Sequence, residues 1–323
     1  MDKIYISAKA FPASEEQRAY LEECAGSGTR ASELIWRAPE EMTDEDYAQA
    51  SATLGFFPPE KFSLCKKLEW VQLSSAGADL FTRPGVLPEN CVLTNGSGAY
   101  SPTVGEHMIA LTFDLIRHLG EYRVNQTKHV WESRGNIISV EGATIAVLGM
   151  GDIGSFYAKK MAALGARVIG VRRHEKEKPA YLDEQVTMDA LHEVLPKADV
   201  VAMVLPGGKE TVHIIGEKEL SLMKEGSFIL NVGRGNAIDP KALRDALDSG
   251  RLRGAALDVT EPEPLPADDP LWDYQNVVIT PHIAGWWYLR ETFDRVVSIF
   301  GKNLKHFVNG EALEHVVDRK LGY

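Results

Sequence analysis

Cysteine is scarce in this chain: Cys24, Cys65 and Cys91 are the only three in 323 residues, widely scattered and odd in number. Such a set supports neither a disulfide framework nor a CxxC-type thiolate centre, and no metal is expected. Long apolar runs are missing too. Stretches such as Ala198 to Leu205 are far too short to cross a bilayer. A surplus of positive charge is also absent: 35 Lys and Arg stand against 46 Asp and Glu, a formal net charge of -11. That balance argues against general nucleic-acid binding and against an anionic membrane surface, leaving room only for a locally built phosphate pocket. Met1 to Pro12 alternates Ile4, Ile6 and Ala8 with polar residues and lacks a signal-like apolar segment. It reads as a first β-strand, and the cytoplasm is the expected compartment. No internal repeat and no low-complexity tract is found.

What is present is a two-part alternation of strands and helices. Strands are expected near Lys3 to Ser7, Glu33 to Trp36, Thr53 to Phe56, Trp70 to Leu73 and Val92 to Thr94, with helical stretches between them. Alternation of this kind predicts a parallel sheet with helices on both faces. Ser101 to Leu119 carries Val104, Met108, Ile109, Leu111, Leu115 and Ile116 at helical spacing and could bridge two domains. A second series follows, with strands at Thr144 to Leu148, Arg167 to Val171, Val200 to Leu205, Ser227 to Val232, Gly254 to Asp258 and Val277 to Ile279. Pro240 to Asp248 and Trp286 to Phe307 read as helices. The residues after that second series are too few to form a domain alone, so they are expected to pack back on the first.

The apolar strand Thr144 to Leu148 runs directly into Gly149-Met150-Gly151-Asp152-Ile153-Gly154, a G-x-G-x-x-G turn, followed by a helix at Ser155 to Leu164 and a second strand. This is the order of a dinucleotide-binding unit. Gly149 permits the tight turn, Gly151 lets the backbone approach a pyrophosphate, and Gly154 lets the helix pack close to the strand. The competing reading is an ordinary Gly-rich turn.

Three later segments leave the ends of strands, where open α/β sheets place their ligands. They are Asn231-Val232-Gly233-Arg234-Gly235, the stretch from Leu257-Asp258 to Glu263-Pro264, and Thr280-Pro281-His282-Ile283-Ala284-Gly285. Taken singly, Arg234 could be a surface-turn residue, Glu263 a solvated acid and His282 a loop histidine. Together they offer an anion clamp, a carboxylate and a histidine at one sheet edge, the set required for carbonyl reduction.

On these motifs the chain resembles the D-isomer-specific 2-hydroxyacid dehydrogenase family over essentially its whole length. The resemblance implies an α/β fold of two doubly wound parallel-sheet domains. A Rossmann-type NAD(P)-binding domain (residues 100-288, with a dimerisation arm at 101-133) is inserted into a flavodoxin-like substrate domain (residues 1-99 and 289-323). It implies reduction of small 2-oxo acids of the glyoxylate or hydroxypyruvate type to D-2-hydroxy acids in a cleft that closes on the substrate. Arg234, Glu263 and His282 match the family's catalytic residues. Glu263 is matched rather than Glu261 because the family places the acid five positions after the aspartate equivalent to Asp258, just before a proline. Gly149, Gly151, Asp152, Ile153, Gly154, Leu205, Pro206, Asp258 and Gly285 fall at cofactor-binding positions, and Ala76 and Gly77 fall at the turn that meets the substrate carboxylate. A homodimer is implied. The formate branch generally carries glutamine in place of Glu263, and a nucleotide-sensing, corepressor-like role is the alternative from another class.

The residue types suit those roles. Imidazole titrates near neutrality and a neighbouring carboxylate favours its protonated form, so His282 is a suitable proton donor. Arg234 can clamp a carboxylate with two parallel hydrogen bonds. Two departures from the family pattern stand out. Arg172 occupies the position at the end of the second strand where a NAD-preferring unit carries Asp or Glu, and Arg173 follows it, which favours NADP(H) over NAD(H). Trp286 and Trp287 stand where the family usually has smaller residues, and they either pack in a core or interface or narrow the pocket. Trp131 reads as a dimer contact.

Overall fold

The structure is a computed structural model that describes residues 1–9 and 11–322. The chain divides into two compact units, Met1–Ala99 with Trp287–Tyr323, and Tyr100–Trp286.

In the first unit the chain runs β1 (Asp2–Ser7), α1 (Glu15–Gly26), β2 (Ser32–Arg37), α2 (Asp44–Gln49), β3 (Ala50–Leu54), β4 (Trp70–Gln72) and β5 (Val92–Thr94). The ladders between these strands are parallel, with an isolated antiparallel bridge from Thr94 to Val316, and the strand order is β2-β1-β3-β4-β5, the doubly wound flavodoxin-like order. Helix α1 starts where a capping box forms, Ser14 and Gln17 each accepting the other's backbone N–H. The sheet is expected at Thr53 to Phe56, yet β3 begins at Ala50 and stops before Gly55, whose φ of +96° turns the chain away. Small Ala50, Ser51 and Ala52 give little strand signal of their own; their pairing to β1 makes the strand.

The second unit contains α3 (Ser101–Arg117), α4 (Leu119–Thr127), β6 (Thr144–Leu148), α5 (Asp152–Ala163), β7 (Arg167–Arg172), β8 (Glu184–Thr187), α6 (Leu191–Val194), β9 (Val200–Met203), α7 (Glu217–Leu222), β10 (Ser227–Asn231), α8 (Pro240–Asp248), β11 (Leu252–Leu257) and β12 (Val277–Ile279). Its seven parallel strands are ordered β12-β11-β10-β9-β6-β7-β8, so the order reverses between β6 and β9. Ligands of open α/β sheets bind outside that switch point. Edge strand β8 escapes the sequence reading because only Val186 in Glu184–Thr187 is apolar; the ladder to β7 creates it. The expected long helix breaks at His118, which takes φ of 56° between α3 and α4. Helix α5 starts three residues before the expected Ser155, so Asp152, Ile153 and Gly154 form its first turn.

The last helix, α9 (Arg290–Asn309), packs within the first unit. Phe300 stacks on Phe11 with ring centroids 4.8 Å apart, and buried Asn303 donates to Gln72 Oε1 at 2.7 Å. The sequence periodicity starts this helix at Trp286, but Trp286 to Leu289 form turns. Trp287 packs its ring against Phe11 and Phe293. Among the described residues no helix is long and apolar enough to cross a membrane.

Asp46 is partly buried, which opposes ionisation. Bonds from the Thr43 backbone and hydroxyl, the Tyr5 hydroxyl and the Arg37 guanidinium outweigh that and hold it down at about 2. A depressed carboxylate stabilises the fold above its unfolded value of 3.8 and loses that contribution as pH falls through the folded value. Asp46→Asn should therefore cost about 2 kcal/mol at pH 7. In urea unfolding the gap between the two proteins should close between pH 4 and 2; a gap that persists at pH 2 contradicts it.

Candidate active site

The glycine turn sits at the C-terminal end of β6. Gly149 has φ of +105°, and a Cβ there would lie 2.5 Å from the Val204 carbonyl oxygen. At Gly154 a Cβ would fall 1.9 Å from the carbonyl oxygen of Gly149, so α5 could not approach β6 with any other residue. Gly151 is the N-cap of α5, and the space its missing Cβ leaves has no atom within 4 Å. Backbone amides of a helix N-terminus face that open side, the arrangement that receives phosphate. These features fit a dinucleotide pyrophosphate. Arg172 closes β7, half-buried, and Arg173 pairs with Glu210 at 2.8 Å. Leu205 is buried in the loop after β9, where the Pro206 carbonyl accepts from Thr211 Oγ1 at 3.0 Å.

Loops leave the same edge of the sheet after β10, β11 and β12. The first is tied by Asn231, whose side chain accepts from Gly233 N at 3.0 Å and donates to the Arg234 carbonyl at 2.8 Å. Arg234 is thereby presented in extended backbone, with one Nη donating to the Gly233 carbonyl at 2.8 Å. The other two loops meet each other. His282 Nδ1 lies 2.5 Å from Glu263 Oε1, both side chains about half exposed at 49% and 41%. Glu261, two residues away, is held by a different histidine, His213, at 2.6 Å. The two acids thus have separate partners.

The His282 loop is organised by Asp258, which is only 2% exposed. Its Oδ1 accepts from Thr280 Oγ1 at 2.6 Å and Ile283 N at 3.0 Å, its Oδ2 from Ala284 N at 3.1 Å, and its backbone carbonyl from His282 N at 2.8 Å. His107, on α3, bonds Thr280 Oγ1 at 3.1 Å and stands 3.8 Å from the carboxylate. Gly285 is free of close approach, since a Cβ there would make ordinary contacts with Tyr100 and Val104. In the first unit, Ser75 Oγ donates to the Gly77 carbonyl and Asn95 to the Ala76 carbonyl, both at 2.7 Å, fixing the Ser75-Ala76-Gly77 turn.

A family model described as D-isomer specific 2-hydroxyacid dehydrogenase, NAD binding domain, matches residues 109–284, more than half of the chain. The chain belongs to that family. This dehydrogenase is 32% identical to a glyoxylate reductase of Korarchaeum cryptofilum over 270 residues, 81% of this chain and 80% of that one. Among solved structures, a D-isomer specific 2-hydroxyacid dehydrogenase family protein of Aeromonas salmonicida is similar with a TM-score of 0.82 at 30% identity, covering 98% of this chain and 99% of that one. An NADPH-dependent glyoxylate/hydroxypyruvate reductase of Sinorhizobium meliloti, in complex with NADP and sulfate, has a TM-score of 0.83 at 25% identity and 100% coverage of both chains.

The motifs predict Arg234, Glu263 and His282 at one sheet edge; the structure pairs His282 with Glu263, shows Arg234 bonded to the Gly233 carbonyl, and gives parts to Asn231, His107, Thr280 and Asn95 that the motifs do not assign. Asn231 and Thr280 lie inside motifs already noticed, and a polar residue closing a strand before a tight turn is their signal. His107 is masked by its helix, and Asn95 by the loop that follows β5.

Proposed function

We propose that this chain reduces small 2-oxo acids, of glyoxylate or hydroxypyruvate type, to D-2-hydroxy acids, with NADPH preferred over NADH. The observation that carries the reading is the His282–Glu263 pair, displayed at the strand-end edge that also carries the glycine turn. The bound cofactor supplies the hydride. With Nδ1 bonded to Glu263, His282 has Nε2 left to deliver a proton to the keto oxygen, and the carboxylate steadies the imidazolium before transfer. Arg234 holds the substrate carboxylate as a bidentate fork, in place of its present bond to Gly233. Within the first unit, Ala76 and Gly77 are proposed as substrate-binding residues on the family resemblance, at a turn held by Ser75 and Asn95.

Toward the cofactor, Gly149, Gly151, Asp152, Ile153 and Gly154 take the pyrophosphate, while Leu205 and Pro206 lie beside the adenosine. Asp258 and Gly285 shape the nicotinamide end, Asp258 chiefly through the loop it holds, since its carboxylate already accepts three hydrogen bonds. Arg172 and Arg173 receive the 2'-phosphate. The first unit is the substrate domain and the second the cofactor domain. The name of the Sinorhizobium meliloti neighbour supports both the substrate class and the cofactor. A glutamate rather than glutamine at 263 weighs against a formate-type enzyme. We place the enzyme in the cytoplasm, where the three free, buried thiols are at home.

Initial rates with NADPH and NADH against glyoxylate, hydroxypyruvate, pyruvate and phenylpyruvate test the whole reading. Cofactor binding without turnover of any 2-oxo acid would shift it to nucleotide sensing. His282→Gln should lower kcat by about 10²- to 10⁴-fold and Glu263→Gln by about 10- to 100-fold, with Glu261→Gln within about threefold of the parent. Equal losses at the two glutamates would overturn the assignment of Glu263. Arg172→Asp should lower kcat/KM for NADPH by about tenfold or more while sparing NADH; an unchanged ratio removes Arg172 from phosphate recognition. The arm, whose Trp131 is fully exposed, is proposed to build a homodimer. Light scattering should give twice the chain mass, and a monomer at micromolar concentration sinks that proposal.

A further inference from the structure

We propose that Trp286 is a positioning residue for His282, acting through its indole N–H rather than through its apolar ring. The inference rests on the reading of His282 as proton donor. Its basis is the way the His282 backbone is held. His282 has φ of 51°, a left-handed conformation that few non-glycine residues adopt without outside support. Its N–H is shared between the carbonyls of Asp258 at 2.8 Å and Thr280 at 2.9 Å. The next peptide plane, which joins His282 to Ile283, is gripped at both edges. Its N–H donates to Asp258 Oδ1 at 3.0 Å, and its carbonyl accepts from Trp286 Nε1 at 2.9 Å.

Clamping both edges of a peptide plane fixes the torsions on either side of it. With the N–H of His282 fixed as well, the direction in which its Cβ leaves the backbone is set, and Nδ1 meets Glu263. The side chains cannot supply this order themselves, because both are about half in solvent. Trp286 is placed for the task by a turn in which its own N–H bonds the Ile283 carbonyl at 3.2 Å. Trp286 is 57% exposed, so burial alone does not account for a tryptophan here. Trp287 differs, being edge-on to Phe11 with centroids 5.8 Å apart, and its role is packing.

Two substitutions separate the N–H from the ring. Trp286→Phe keeps an aromatic ring and loses the donor; Trp286→Gln loses the ring and keeps an N–H within reach of the same carbonyl. Amide hydrogen exchange of the 280–286 segment is followed without substrate, beside kcat and KM for glyoxylate and phenylpyruvate. Trp286→Phe should speed exchange in that segment and lower kcat roughly fivefold with KM within about twofold, and Trp286→Gln should restore both. Trp286→Phe matching the parent, or Trp286→Gln falling as far, overturns the proposal. So does faster exchange in Trp286→Phe that spreads to residues 227–231 of β10, which would mark general loosening. If the phenylpyruvate-to-glyoxylate preference changes only when the ring is lost, the indole is a wall for the substrate side chain and the proposal fails. Absence of turnover in the parent sinks the functional reading instead, while the exchange data still decide the positioning.

Discussion

The loop that carries His282 depends on one buried carboxylate, Asp258. Removing a charge from water costs several kcal/mol unless hydrogen bonds replace the lost solvation. For Asp258 the replacement comes from a hydroxyl and two backbone amides, all supplied by Thr280 to Ala284. Charge-assisted bonds are worth roughly 1.5 to 3 kcal/mol each, so any other path for that loop would strand a buried anion. This outweighs the roughly 1 to 3 kcal/mol that a left-handed non-glycine residue costs. His282 can therefore keep a backbone conformation it would not choose, and the loop presents its imidazole in one direction. The carboxylate touches no reacting group; it holds the loop from one side of the His282–Ile283 peptide, whose other side is held by Trp286.

The acids of the neighbouring loop are sorted by a weaker force. Glu261 and Glu263 flank Pro262, and each finds its own histidine, His213 and His282. Pairs this exposed are worth about 0 to 1 kcal/mol, so they add little to stability. Their effect is on register. With Glu261 engaged by His213, and with Thr260 Oγ1 donating to the Pro262 carbonyl at 2.8 Å, the loop delivers only Glu263 to His282.

Much of the framework was legible in the sequence because its strands are apolar runs ended by glycine or a polar turn. Residues 92–94, 144–148, 240–248 and 277–279 appear with the bounds the pattern predicts. What was not legible depends on partners far away in the chain. Strand β8 exists through its ladder to β7, and the early start of β3 at Ala50 to Ala52 through its ladder to β1. The break at His118 and the late start of α9 are decisions of local backbone torsion that hydrophobic periodicity does not register. At the site, the motifs named Glu263 and His282 but not what steers them together: His213 is 48 residues from Glu261, and His107 is 173 residues from Thr280. Spacing along the chain carries no sign of such pairs.

The cofactor end follows the same logic of competing charges. Arg173 is occupied by Glu210 at 2.8 Å, with the acid 73% exposed. An ion pair so open to water holds at most about 1 kcal/mol. A 2'-phosphate carries more charge and presents several acceptor oxygens that a guanidinium can bind as a fork, and such bonds are about twice as strong as neutral ones. On the proposed reading, Glu210 is a placeholder that NADPH displaces at little cost. NADH brings no 2'-phosphate, so on this reading it would leave Arg173 with Glu210 and Arg172 without an anion. Preference would then arise from an exchange of partners that only one of the two cofactors can complete.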